Sequence, residues 1–250
     1  TPEEKLMEAA LEAGGAAVNP FPAFDRIEEK TNRTVTDALG LITIVIGGLN
    51  LMSLGDSAFQ KAVTPSGTLL VVIFAILFGG IFGSAMKIET KLEKFGGWLQ
   101  ARLSSESQGD ENRKRFINGF VDASLLFAIG PMAILGSMSD GLGQGSETLV
   151  VNSILDGFAS IAFAASLGWG VAFSAITVGL WQGGLTALAF FAQAGVPEAL
   201  VSSITATGGI LMLGIGLRLL KIRQVSVADL LPALILAPIF TWLVSLVLGS

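Results

Sequence analysis

The chain has 250 residues, of which 52% are hydrophobic and only 14% charged, and its mean hydropathy is +0.70. These values are typical of helices packed in lipid, and they exclude an intrinsically disordered chain. With no cysteine and no histidine, a disulfide scaffold, the usual transition-metal sites and Ser-His or Cys-His catalytic pairs are excluded. The net charge of -5 argues against nucleic acid as a partner. The composition therefore predicts an all-α integral membrane protein that is not an enzyme and has no metal or cofactor.

The first 34 residues are predicted to form an acidic segment that does not cross the membrane. Residues 3–13 are compatible with a short acidic helix, and the following AGGAAVNPFPAF contains two prolines. This stretch has too few consecutive apolar residues for a spanning helix, which needs about 20.

Residues 35–250 are predicted to form one transmembrane domain, a polytopic helix bundle of about seven spans. The apolar stretches cover 35–54, 67–86, 116–136, 147–167, 171–193, 199–220 and 227–248. Between the fourth and fifth spans, the turn Gly168-Trp169-Gly170 is the only separation. Pro131, Pro232 and Pro238 fall within spans, where we expect kinks or breaks because proline removes a backbone donor.

The basic residues set the predicted orientation. In a seven-span topology, Lys61 lies on one side of the membrane and the other fourteen Lys and Arg lie on the opposite side. Because basic residues are enriched in cytoplasmic loops, the N-terminus is predicted to be cytoplasmic, or on the stromal or matrix side of an organelle. The membrane is either a bacterial inner membrane or an organellar one. Residues 87–103 are predicted to form an amphipathic helix on the inner surface with Trp98 as an anchor, followed by a polar loop, 104–112.

Two pairs of segments predict inverted repeats. Residues 38–51 resemble 206–219, and residues 118–130 resemble 156–168. In the seven-span topology the members of each pair run in opposite directions, as in many secondary transporters. The alternative is that helices rich in Gly, Leu and Ala resemble one another by composition alone.

Two aspartates within the spans are candidate site residues, because a charge in lipid costs at least ~2.5–3.5 kcal/mol. Asp122 has Asn118 one helical turn earlier, and Asp156 has Asn152 one turn earlier and Ser160 one turn later. Residues at this spacing share a helix face.

Gln182 is a further polar candidate in the middle of a span. Residues 116–217 contain no Lys or Arg, so neither aspartate has an obvious salt-bridge partner in the sequence. Two interpretations remain open: a site for a proton, cation or small solute between the repeats, or structural hydrogen bonds between helices worth about 1 kcal/mol each.

Four blocks carry a resemblance to a known family. They are GFVDASLLFAIGPMAILGSMSDGL, SILDGFASIAFAASLGWGVAFSAITVGLWQGGLTALA, TATGGILMLGIGLRLLKI and LLPALILAP. Through them the chain resembles domain-of-unknown-function family 554 of bacterial membrane proteins over about residues 35–240. The resemblance implies a polytopic fold and, at most, a transport role with no established substrate. Members usually begin with a further apolar helix where this chain has AAVNPFPAFDRIEEK, and tend to carry Lys where it has Asn152.

Two functions follow as hypotheses. The first is a secondary transporter or a permease for ions or small solutes. The second is a non-catalytic subunit of a larger membrane complex, photosynthetic or organellar, that docks through residues 1–33 and 87–103 and binds lipids or pigments. The expected partners are the lipid bilayer and either further copies of the chain or the rest of such a complex.

Overall fold

A computed structural model describes residues 29–103, 110–192 and 197–249, and over these ranges the chain is helical without a strand. The α-helices within these ranges are α1 (Glu29–Leu51), α2 (Ser57–Val63), α3 (Gly67–Met86), α4 (Ile88–Leu103), α5 (Asp110–Ile129), α6 (Pro131–Gly141), α7 (Glu147–Leu167), α8 (Ser174–Ala192), α9 (Glu198–Leu219) and α10 (Ala233–Leu248). Short 3₁₀ helices within the same ranges cover Met52–Gly55, Trp169–Phe173 and Val227–Leu230. The all-α prediction is confirmed. Most of the predicted N-terminal segment and of the polar loop lies outside the described residues.

Six helical stretches of the described chain are long and apolar enough to span a membrane, and a bent pair makes a seventh. The bent pair consists of α5 and α6, which meet at an angle of 61°. The predicted continuous span 116–136 is therefore two helices. Pro131 begins α6, a position where its missing N–H costs no helical hydrogen bond. The predicted break at this proline is confirmed.

The helix α9 lies at the centre of the bundle, since 67% of its apolar stretch is buried, against 11% for α7 and 11% for the span that contains α8. Its main neighbour is α1. A Cβ atom on Gly47 would lie 2.8 Å from the Gly209 carbonyl oxygen, and one on Gly209 would lie 2.7 Å from that of Gly47. Glycine at both positions is what allows the two backbones to approach this closely.

The turn between the fourth and fifth spans packs against α5. Gly168 ends α7 with a positive φ of 86°. A Cβ atom on Gly170 would lie only 2.1 Å from the Phe116 carbonyl oxygen, and the Trp169 and Phe116 rings are 4.5 Å apart. The predicted separation of the two spans is confirmed, and this contact sets where α7 and α8 diverge.

The predicted surface helix 87–103 corresponds to α4. Trp98 is half-exposed, stacks on Phe95 at 5.8 Å and lies 5.3 Å from the Arg102 guanidinium, while the next residue, Leu99, is buried. The helix is thus amphipathic, and its position at a membrane surface stays a prediction.

Candidate functional site

Asp156 lines an open cavity of about 330 Å³ between α7, the 3₁₀ helix Trp169–Phe173 and α8. We call this space the Asp156 cavity. Its polar wall consists of Ser153, Asp156, Ser160, Ser174 and Gln182, and its apolar wall includes Phe127 and Val178. Three of the six predicted site residues, Asp156, Ser160 and Gln182, therefore lie around one space.

The spacing of residues on both helices explains how the cavity forms. On α7 the lining residues Ser153, Asp156 and Ser160 follow each other at intervals of one helical turn, and on α8 Gln182 ends a similar row. Gly157 lies within the lining of α7, and a Cβ atom there would meet nothing within 4 Å. The small side chains in these rows leave the space that the polar groups face.

Asn152 fixes the Asp156 carboxylate. Its Nδ2 donates a hydrogen bond of 2.9 Å to Asp156 Oδ2, across one turn of α7. Asn152 is buried, whereas Asp156 is half-buried. The predicted pairing of Asn152 with Asp156 is present, and the buried amide holds the carboxylate at the edge of the cavity.

Gln182 connects the Asp156 cavity with a second space. It also lines an open cavity of about 630 Å³, whose other polar residues are Asp140 and Thr186. The Gln182 Nε2 is buried and makes no hydrogen bond to any described residue. Polar groups therefore extend from Asp156 through Gln182 to Asp140 at the end of α6.

The depth of these groups follows from helix geometry. Asp156 lies nine residues from the start of α7, roughly 14 Å along a helix of 21 residues. Gln182 lies eight residues from the start of α8, roughly 12 Å along its axis. Both are near the middle of helices long enough to span, so the Asp156 cavity lies at mid-depth in the bundle.

Asp122 does not line the Asp156 cavity, because it belongs to a buried ion cluster. Arg218 lies in the last turn of α9. Its Nε is 3.1 Å from Asp122 Oδ1, and its Nη1 forms an ion pair with Glu89 Oε1. The Asp122 contact is an ion pair without the alignment of a hydrogen bond, since Oδ1 accepts none. The backbone N–H of Ala228 donates a hydrogen bond of 2.8 Å to Glu89 Oε2. The backbone N–H of Glu89 donates one of 2.9 Å to Asp229 Oδ1.

The ion cluster changes two sequence-based expectations. Asp122 has a basic partner after all, which comes from a helix almost a hundred residues later in the chain. Asn118, one turn before Asp122 on α5, is exposed and takes no part in the ion cluster. The sequence reading missed Glu89 and Arg218 because both stand at helix ends in a basic region, where they are expected to be solvated. One feature of the sequence indicated a buried arginine: Arg218 lies within an apolar span, directly before the last residue of its helix.

Comparison with known proteins gives a family match that covers most of the chain. The family described as "Protein of unknown function (DUF554)" matches residues 17–242. The chain belongs to the DUF554 family. The family match covers every residue of the two sites described above.

Two DUF554 relatives give the extent of similarity. The uncharacterized membrane protein YdfK of Bacillus subtilis (strain 168) is 29% identical over 197 residues, which are 79% of this chain and 81% of YdfK. The uncharacterized protein YqgA of Escherichia coli (strain K12) is 29% identical over 215 residues, 85% of each chain. No solved structure matches this DUF554 protein.

Proposed function

We propose that this DUF554 protein is a secondary transporter or permease for a small ion or solute, with the Asp156 cavity as its binding site. The observation that supports it most is a carboxylate at mid-depth of a spanning helix that faces an open cavity with serine hydroxyls and an amide in its wall. Ionisable side chains inside membranes are costly, and they commonly mark ion pathways and proton relays.

The chemistry of the cavity favours a proton or a small hard cation. Its polar wall offers a carboxylate, three serine hydroxyls and one amide, which are oxygen-rich groups of the kind that bind such cations. Among the described residues, no Lys or Arg pairs with Asp156, so its charge is available to a bound proton or cation. The serine hydroxyls and the Gln182 amide would then complete the ligand shell.

The arrangement of cavities also supports transport. Gln182 lines both the Asp156 cavity and the larger one beside Asp140 and Thr186, so a route from Asp156 toward the end of α6 would pass this side chain. The inverted repeats predicted from the sequence would let the two halves rock about such a site. A two-fold relation between the halves stays a prediction.

The first test is flux through the purified protein in liposomes. A potassium diffusion potential drives cations inward, and trapped dyes report proton and sodium entry separately. We expect Asp156→Asn, which removes the charge but keeps the shape, to reduce flux to the level of protein-free liposomes. Asp37→Asn is the matched control, because Asp37 is exposed on α1 and outside the cavity. An Asp156→Asn flux equal to wild type would contradict the assignment, and a wild-type protein that passes neither ion would exclude proton and sodium.

We also propose that the end of the bundle rich in Lys and Arg is cytoplasmic and that the N-terminus lies on this side. The predicted loops divide the basic residues fourteen to one between the two sides. By the positive-inside tendency, Lys61, in α2, would then be on the outside.

The alternative function, a non-catalytic subunit of a larger membrane complex, rests mainly on residues 1–33. Of these, 1–28 lie outside the described residues. Gentle extraction from the native membrane separates the two proposals. A protein that migrates alone or as a small homo-oligomer supports transport, whereas stoichiometric co-migration with other subunits supports the complex.

A further inference from the structure

A separate cavity of about 370 Å³ lies between α3, α4, α5, α8 and α10, and its wall is almost entirely apolar. Its polar side chains are Ser124 on α5 and Thr177 and Trp181 on α8. We call it the Ser124 cavity. It shares no lining residue with the Asp156 cavity. A mainly apolar wall with a few polar groups is the usual make-up of a small-molecule site, and this volume falls within the range of such sites.

Two buried polar atoms at the Ser124 cavity have no partner among the described residues. Ser124 is 1% exposed, yet its Oγ makes no hydrogen bond, and neither does the buried Nε1 of Trp181. Other buried hydroxyls in this protein bond to a carbonyl one turn earlier, as Ser137 and Thr241 do. Because buried polar groups are nearly always satisfied, two such groups on residues that line one cavity point to a partner toward which both side chains turn when the cavity is filled.

The mouth of the Ser124 cavity opens toward the lipid. Phe82 and Met86 on α3 and Ile235 on α10 line it and are 58%, 42% and 59% exposed. These are apolar side chains on helices long and apolar enough to span the membrane. A molecule that enters by this route comes from the bilayer and has an apolar body.

We propose that the Ser124 cavity binds an apolar molecule from the bilayer through a carbonyl oxygen, which accepts hydrogen bonds from the Ser124 and Trp181 side chains. The indole N–H is only a donor, so the ligand atom beside it must be an acceptor. A quinone ring and a lipid ester both carry such an oxygen on an apolar body. The proposal is independent of the transport role, since it concerns a different cavity.

The test uses tryptophan fluorescence. Replacing the other three tryptophans, 98, 169 and 242, by Phe leaves Trp181 as the reporter. The probes are a decyl-substituted benzoquinone and methyl palmitate, added to the protein in detergent. We expect a saturable change with one of them, which identifies the source of the carbonyl. Ser124→Ala should raise Kd about two- to tenfold, the effect of one lost hydrogen bond.

Two further variants complete the design. Ala128→Leu fills the cavity and should abolish saturable binding, whereas Ser84→Ala, at an exposed serine of α3, should bind as the parent does. Mass spectrometry of the unmodified protein extracted from its own membrane gives a second readout that does not depend on the tryptophan replacements. The proposal is overturned if neither probe saturates and the extracted protein carries no such molecule. It is also overturned if Ser124→Ala and Ala128→Leu bind as the parent does.

Discussion

At the scale of single residues, the ion cluster of Arg218, Glu89 and Asp122 is the main electrostatic feature of the described chain. The side chains of Arg218 and Asp122 are 8% and 5% exposed, and that of Glu89 is 12% exposed. Two carboxylates face one guanidinium, and the backbone N–H of Ala228 supplies part of the remaining stabilisation of Glu89. The cluster ties α4, α5 and α9 together.

Removing the arginine should leave two buried carboxylates without a counter-charge. We expect Arg218→Met to lower the free energy of unfolding by about 3–5 kcal/mol, the usual cost of breaking a buried pair. Thermal unfolding in detergent measures it, with Lys221→Met as the control, because Lys221 is exposed nearby. Adding Glu89→Gln and Asp122→Asn should restore most of the loss. An Arg218→Met protein that unfolds at the wild-type temperature would show that the cluster contributes little.

At the scale of helices, neighbouring glycines of α1 have opposite roles. A side chain at Gly47 would press on the α9 backbone, whereas a Cβ atom on Gly48 would meet nothing within 4 Å. Because both glycines lie in the same helix, comparing their substitutions distinguishes the effect of close helix packing on stability from the general effect of glycine on a helix.

We expect Gly47→Ala to destabilise the protein by about 1–3 kcal/mol, because the α1 and α9 backbones must move apart. Gly48→Ala should be neutral or should stabilise by about 0.5–1 kcal/mol, since alanine is the better helix former. Thermal unfolding of the two variants side by side measures the difference. Equal effects would mean that the Gly47–Gly209 approach does not hold the helices together.

At the scale of the whole molecule, we expect the asymmetry of charge to decide how the bundle is inserted. The chain contains no cysteine, so single cysteines can be introduced without removing any. Lys61 and Lys91 are both exposed and lie on opposite sides in the seven-span topology.

We expect Lys91→Cys to react with an impermeant maleimide only after the membrane is opened, and Lys61→Cys to react in intact cells. The physical reason is that insertion retains basic loops on the cytoplasmic side. The opposite labelling pattern would place the N-terminus outside.

The sequence by itself determined the helical fold, the approximate spans and the break at Pro131. These features depend on composition, local periodicity and proline chemistry, all of which are set by residues close together in the sequence. It also brought Asn152, Asp156 and Ser160 onto one face, because a helix places residues four apart together.

Only the tertiary structure decided which of the polar residues meet. It placed Gln182 around the same cavity as Asp156 and joined Asp122 to Arg218 instead of to this cavity. It also left Ser124 Oγ and Trp181 Nε1, on two residues that line one cavity, without a hydrogen bond to any described residue. The physical reason is that these groups come from helices far apart in the chain. The distances between these groups depend on how glycines and bulky side chains set the packing of the helices. This packing cannot be predicted from the pattern of neighbouring residues in the sequence.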